Sequence, residues 1–180
     1  MQQFIRFISK CKLLYLLRTS CREITKMSAE KISVLYVDDE ENNLFSFKAT
    51  FRIKYQVHTA ISGPEAMKIL EAKPVHIIIT DQRMPEMTGV EFLEKVLEIY
   101  PDPMRILLTG YADMGAVVDA VNKGKIFHYL AKPWNEEELD ITINRAYEKY
   151  LEKIKLKDMN VKLSDSNDQL EFMLRQKLLS

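Results

Sequence analysis

The order in which two hydrophobic patterns alternate constrains this chain more than any other feature. Five short apolar runs, Ile32–Val37, Tyr55–Ala60, Val75–Thr80, Met104–Thr109 and Ile126–Ala131, read as strands. Between and after them, Glu41–Ile53, Thr88–Tyr100, Asp113–Lys123 and a long stretch from near Asn135 place apolar residues at helical spacing. A further helix opens at Ser62-Gly63-Pro64-Glu65, with a Ser cap, a Pro in the first turn and an acid close behind. Strands that alternate with helices predict a parallel sheet covered on both faces, with right-handed crossovers. Val75–Thr80 is the most apolar run and belongs at the centre of that sheet.

In such a sheet, ligands collect where the strands end, near the point at which strand order reverses. Here the first strand ends in Asp38-Asp39, the third in Asp81, the fourth in Thr109 and the fifth in Lys132. Neighbouring strands lie about 4.8 Å apart, so these side chains can converge on one small volume. Three carboxylates alone repel one another, and a hard divalent cation such as Mg²⁺ resolves that with oxygen ligands. A lysine and a hydroxyl beside the metal suit phosphoryl transfer to a carboxylate. A single strand-end Asp is an ordinary turn former; five such residues on four strands are not.

At these residues the sequence resembles the receiver domain of bacterial two-component response regulators, over roughly Lys31 to Glu152. The resemblance is carried by Asp38-Asp39, by Asp81 with Met84-Pro85 and Gly89, by Thr109-Gly110 and by Lys132-Pro133. It implies a flavodoxin-like α/β fold with strand order 2-1-3-4-5. It implies that Asp81 accepts a phosphoryl group from a histidine kinase or histidine phosphotransfer protein. Asp38, Asp39, Asp81 and the backbone carbonyl of Arg83 would hold Mg²⁺, while Thr109 and Lys132 would bind phosphoryl oxygens. Tyr129 occupies the aromatic switch position, and the Lys132-Pro133 bond is expected to be cis. Arg83 and Tyr111 flank the path of an attacking water and are expected to shield the phosphoryl group. The wording Asp81-Gln82-Arg83-Met84-Pro85 and Tyr129-Leu130-Ala131-Lys132-Pro133-Trp134 is similar to a subgroup often joined to cyclic-dinucleotide phosphodiesterase, cyclase or phosphatase domains.

Outside residues 30–152 the chain divides into a basic extension, 1–29, and a C-terminal segment, 153–180. The 26 basic and 26 acidic groups cancel, which argues against a general polyanion binder, yet residues 1–27 alone carry about +5. That extension suits an amphipathic interfacial helix, but Met27 looks like a natural start, which makes an upstream-start artefact the expected reading. Cys11 and Cys21 have no ligand or disulfide spacing. No apolar run is long enough for a transmembrane segment, so a cytoplasmic protein is expected. In the C-terminal segment Leu156, Leu163 and Leu170 fall seven apart, and Asn160, Asn167 and Leu174 form a second row. Leu at d with Asn at a favours a parallel coiled-coil homodimer, unless the helix breaks at Ser164-Asp165-Ser166.

The leading expectation is a signalling switch, not an enzyme, whose phosphorylation alters dimerisation or partner binding. The output is the coiled coil itself, or the chain is a stand-alone or truncated regulator of a cyclic-nucleotide or phosphatase output. An aspartate-nucleophile phosphohydrolase of the haloacid-dehalogenase type is the alternative. Those enzymes carry a second Asp two residues past the nucleophile, where this chain has Arg83. A DNA-binding output is not expected, because no helix-turn-helix pattern follows the receiver. His58, His76 and His128 are scattered and read as structural, and Trp134 as packing beside the Lys-Pro turn.

Overall fold

Val34, Tyr36 and their neighbours in the first strand alternate sides, and that period of two decides how the layers assemble. The computed structural model describes residues 31–110, 121 and 125–178. The expected basic extension with Cys11 and Cys21, nearly all of the expected helix Asp113–Lys123, and Tyr111 lie outside the described residues. The sheet domain is the unit Ile32–Ser180. Its elements are β1 (Ser33–Val37), α1 (Glu41–Phe51), β2 (Gln56–Ala60), α2 (Gly63–Ala72), β3 (Ile77–Asp81), α3 (Gly89–Ile99), β4 (Met104–Thr109), β5 (His128–Ala131) and α4 (Glu136–Leu178). All strand pairs are parallel, in the order β2-β1-β3-β4-β5. β3 is the central strand, as its unbroken apolar run requires.

Leu35, Val37, Ile78 and Leu107 face one side of the sheet and pack with Leu70 of α2 and Phe92, Leu93 and Val96 of α3. Val34, Tyr36, Ile77, Ile79, Ile106 and Leu108 face the other, under Phe47 and Phe51 of α1 and Leu139, Ile143 and Ala146 of α4. Each fully buried side chain of this size stabilises the fold by about 1.5–3 kcal/mol. Helix starts follow local chemistry. Ser62 accepts from the Glu65 N–H, and Thr88 forms a reciprocal capping box with Glu91. Asn135 accepts from the N–H groups of Glu137 and Glu138 and so starts α4. At α1 the N-cap residue, Glu40, makes no side-chain cap; instead Asp38 Oδ1 accepts the Glu40 N–H at 3.0 Å. A carboxylate at a strand end thereby also fixes the first turn of the following helix.

α4 runs unbroken through Ser164–Ser166 and across residue 152, so the helix that covers the sheet and the heptad segment are one element. Its 43 residues extend about 64 Å at 1.5 Å each. Near the start of α4, Tyr55 donates to Asp140 at 2.6 Å and accepts from Asn144. Farther along, the His76 ring lies 5.3 and 5.0 Å from those of Tyr147 and Tyr150, and Lys157 pairs with Asp102 at 2.9 Å. The remainder of α4 projects with its apolar row exposed: Leu156 is 61%, Leu163 59% and Leu170 54% accessible. No helix among the described residues is long and apolar enough to cross a membrane.

His58 on edge strand β2 has a buried Nε2 without a hydrogen-bond partner. Burial, then the charges of Lys73 and Lys48, hold its pKa below the ordinary value. A His whose folded pKa lies below its unfolded one contributes stability above the unfolded value, near pH 6.5, which is lost as pH falls through the folded value. Unfolding free energy should therefore decline as pH drops from about 7 to about 5, and His58→Val should flatten that slope. Denaturant titrations across this range check it; equal slopes in the two proteins would refute the assignment.

Candidate functional site

Three of the five strand-end residues meet: two carboxylates and the lysine that bridges them. β1 hands the chain to Asp38, which is fully buried, and β3 ends on Asp81, which is 7% exposed. Register places Val37 beside Thr80 and Asp81 beside Leu108, so the two carboxylates leave the sheet at nearly one level. Lys132 follows β5; its N–H donates to the Thr109 carbonyl at 2.8 Å. From there Nζ reaches across β4 and β3 and bridges Asp38 Oδ2 at 2.8 Å and Asp81 Oδ1 at 2.7 Å. The Lys132-Pro133 bond is cis.

The other two strand-end residues do not join the bridge. Asp39 is exposed at the rim. Thr109 is buried at the end of β4, and its hydroxyl donates to the Gly110 carbonyl at 3.0 Å. Arg83 is exposed, and its backbone N–H donates to Asp81 Oδ2 at 2.9 Å. Tyr129 is half-buried against the core beneath α2 and α3. Trp134 does pack beside the Lys-Pro turn, its ring 6.1 Å from that of Phe47 and 5.9 Å from that of Phe51.

Several residues of the site were not singled out from the sequence. Tyr36 donates its hydroxyl to Asp38 Oδ2 at 2.6 Å, and Asn43 donates to Oδ1 at 3.0 Å. Tyr36 lies two residues before Asp38, on the same side of the strand, and that period was the signal available for it. Gln82 accepts the Val90 N–H at 3.2 Å and holds the loop after β3 against α3. Gly89 shows why that loop can close. A Cβ there would overlap the Asp81 carbonyl oxygen and crowd Leu107. Glycine at 89 lets the start of α3 rest directly on the backbone of Asp81.

Burial alone would raise the Asp38 carboxyl, but Lys132, Tyr36, Asn43 and the Glu40 N–H together hold it below the ordinary carboxylate range. Burial would lower the Lys132 ammonium, and its bonds to Asp38 and Asp81 outweigh that and raise it. Burial, then Asp38, pushes the Tyr36 phenol far up. Asp38 and Lys132 are thus each held in the charged form by the other. Asp38, Asp39 and Asp81 against Lys132 leave a formal surplus of two negative charges. The donors on offer are all hard oxygens, and a divalent cation matches both their type and the surplus. Among the described residues no three carboxylates stand at ligating spacing; Lys132 spans the gap between Asp38 and Asp81.

The family model for the response regulator receiver domain matches residues 34–144. The hydrogenase transcriptional regulatory protein HoxA of Cupriavidus necator is 39% identical over 122 residues, which cover 68% of this chain and 25% of that protein. A solved structure titled as adenylate cyclase from Rhodopirellula baltica superimposes with a TM-score of 0.69 at 32% identity, covering 73% of this chain and 98% of that one. The signal receiver domain of an HD domain-containing protein from Pseudomonas fluorescens gives a TM-score of 0.66 at 30% identity, with 71% and 94% covered. The chain spans about a quarter of the length of the first curated relatives it matches, 25% and 24%.

Proposed function

The chain belongs to the response regulator receiver family of two-component signalling, and from that membership we propose that Asp81 is its phosphoacceptor. The observation that carries the assignment is the Lys132 bridge, which puts one ammonium on the two buried strand-end carboxylates at 2.7 and 2.8 Å. Asp81 is the one whose backbone is braced by Gly89 and whose Oδ2 is oriented by the Arg83 N–H. The donor is a phosphohistidine on a histidine kinase or phosphotransfer protein. An Asp81 carboxylate oxygen forms the new P–O bond as the P–N bond breaks, and the histidine leaves with the electron pair. Lys132 then follows the charge onto a phosphoryl oxygen, and Thr109 turns its hydroxyl to another. Mg²⁺ would be held by Asp38, Asp39, Asp81 and the Arg83 carbonyl, and would supply positive charge to offset the negative charge on the phosphoryl group. The chain acts as a stoichiometric acceptor, not as a phosphohydrolase: the position two past Asp81 supplies the Arg83 side chain and no second carboxylate. Phosphotransfer of this kind belongs to the cytoplasm, where the ATP that charges a histidine kinase is made.

Intact-mass spectra after incubation with acetyl phosphate should show one added phosphoryl group with Mg²⁺ and none with a chelator. The same spectra followed over time give the lifetime of the phosphate. Arg83→Asn/Tyr111→Ala should shorten it several-fold, each tenfold being about 1.4 kcal/mol of barrier. Labelling that ignores the chelator would count against the metal, and hydrolysis of a phosphomonoester such as p-nitrophenyl phosphate would favour the hydrolase.

The partner for the projecting part of α4 is a second copy, aligned in parallel. Leu156, Leu163 and Leu170 stand exposed in one row, flanked by Asn160 and Asn167 on one side and by exposed Met159 and Met173 on the other. Acids and bases are paired along the helix, Lys162 with Asp158 and Arg175 with Glu171, which suits a helical partner better than a phosphate backbone. The curated relatives are named as transcriptional regulators; the output proposed for residues 153–180 of this chain is dimerisation. Light scattering should give a dimer, with or without phosphorylation as the switch requires, and Leu163→Asp/Leu170→Asp should give monomers. Equal masses for wild type and variant in both states would remove the coiled coil.

A further inference from the structure

Tyr36 is fully buried in β1, yet it carries a polar group to the most confined carboxylate of the site. Its hydroxyl and the Lys132 ammonium share one acceptor, Asp38 Oδ2, at 2.6 and 2.8 Å. The donors on Oδ1 are different: the Glu40 N–H and the Asn43 amide. Behind the hydroxyl, the Tyr36 ring stacks on Phe47 at 4.3 Å, and Phe47 meets Trp134 edge-on at 6.1 Å. Trp134 lies two residues after Lys132, so one aromatic cluster braces both partners of the ion pair.

We infer that Tyr36 is the positioning residue that lets Lys132 leave Asp38 for the phosphoryl group. The inference rests on Asp81 being the phosphoacceptor. When a phosphoryl group arrives, Lys132 is wanted on its oxygens, and Asp38 Oδ2 loses the ammonium as a hydrogen-bond donor, a loss that a metal ion, which donates no hydrogen bond, would offset in charge only. A buried carboxylate stripped of a donor resists that exchange. Tyr36 stays on Oδ2 as a neutral donor, so it supports the abandoned carboxylate without drawing the phosphoryl oxygens to itself. Neither Asn43 nor the Glu40 N–H can substitute, since both are committed to Oδ1. A strand residue without a donor at position 36 would fill the core equally well and leave Lys132 tied to Asp38.

Tyr36→Phe keeps the ring and its stack on Phe47 and deletes only the hydroxyl. The probe is beryllofluoride in the presence of Mg²⁺, a non-covalent phosphoryl mimic, titrated while the fluorescence of Trp134, the sole tryptophan, is followed. Half-saturation should move up roughly tenfold in Tyr36→Phe, the size expected for one hydrogen bond to a charged group. Wild type should also show a red shift of a tyrosine absorption band on saturation, as the hydroxyl takes over Oδ2, and Tyr36→Phe should lack it. Unchanged half-saturation in a folded Tyr36→Phe, or no tyrosine shift in wild type, overturns the inference. If Tyr36→Phe fails to fold, the absorption shift in Tyr129→Phe decides instead: its persistence supports the inference and its loss overturns it. A wild type that neither binds beryllofluoride nor labels at Asp81 would overturn the phosphoacceptor assignment and this inference with it.

Discussion

Asp81→Asn should take up no acid-labile phosphate from acetyl phosphate or from a phosphohistidine donor, while wild type should take up one equivalent. The amide has no anionic oxygen to form the P–O bond, so the loss is complete and not a matter of affinity. The fold should survive the change. Asn offers an acceptor to the Arg83 N–H that now bonds Oδ2, and Lys132 keeps Asp38 as its partner. Removal of one charge from a site with a surplus of negative charge also relieves repulsion. Thermal melts should therefore agree to within a few degrees, which corresponds to about 1 kcal/mol or less for a domain of this size. Normal labelling in the variant would overturn the assignment, and the matched melts exclude unfolding as the cause of a loss.

Lys132→Ala has the largest expected effect on stability. It leaves Asp38, fully buried, and Asp81, 7% exposed, close together without a cation. Breaking a buried pair by removing one partner costs about 3–5 kcal/mol, and the lower end applies because the Lys132 side chain is 27% exposed. The sign of the pH dependence distinguishes this from lost packing. In wild type the Asp38 carboxyl is held below its ordinary value, so its stabilising contribution is present above the unfolded pKa and is lost as pH falls through the folded one. In the variant, two buried like charges favour protonation of one of them, and acid becomes stabilising relative to neutral pH. The gap between wild type and Lys132→Ala should therefore narrow as pH drops from about 7 to about 4. A gap independent of pH in denaturant titrations would mean that packing, not charge, was lost. Phosphorylation should slow by about 100-fold or more, as for removal of one preorganised group from a developing charge.

Gly89 and Lys132 show where sequence reasoning reached and where it stopped. Glycine at 89 was visible as part of a resemblance, but the need for it is an overlap between a side chain on α3 and the Asp81 carbonyl on β3. Lys132 was visible as a strand-end cation, yet its partner Asp38 lies 94 residues earlier, two strands beyond its nearest neighbour in the sheet. Thr109 and Asp39 sit at the predicted strand ends without joining the bridge: Asp39, one residue past Asp38, is exposed at the rim, and the Thr109 hydroxyl bonds the Gly110 carbonyl.

By itself the sequence determined the elements and their order. Hydrophobic periodicity, the Ser62 and Thr88 caps and the long apolar run of β3 act over a few residues, and each leaves a local trace. It also determined that acids, a hydroxyl and a lysine would stand at the carboxyl edge of the sheet, since strand ends are local too. Only the tertiary structure decided that Lys132 would bridge Asp38 and Asp81, and that α1 and Trp134 would brace Tyr36 beneath them. Those pairings depend on the order β2-β1-β3-β4-β5 and on crossovers that set residues far apart in the chain side by side. The energy of such contacts belongs to no single segment, so no local pattern records them.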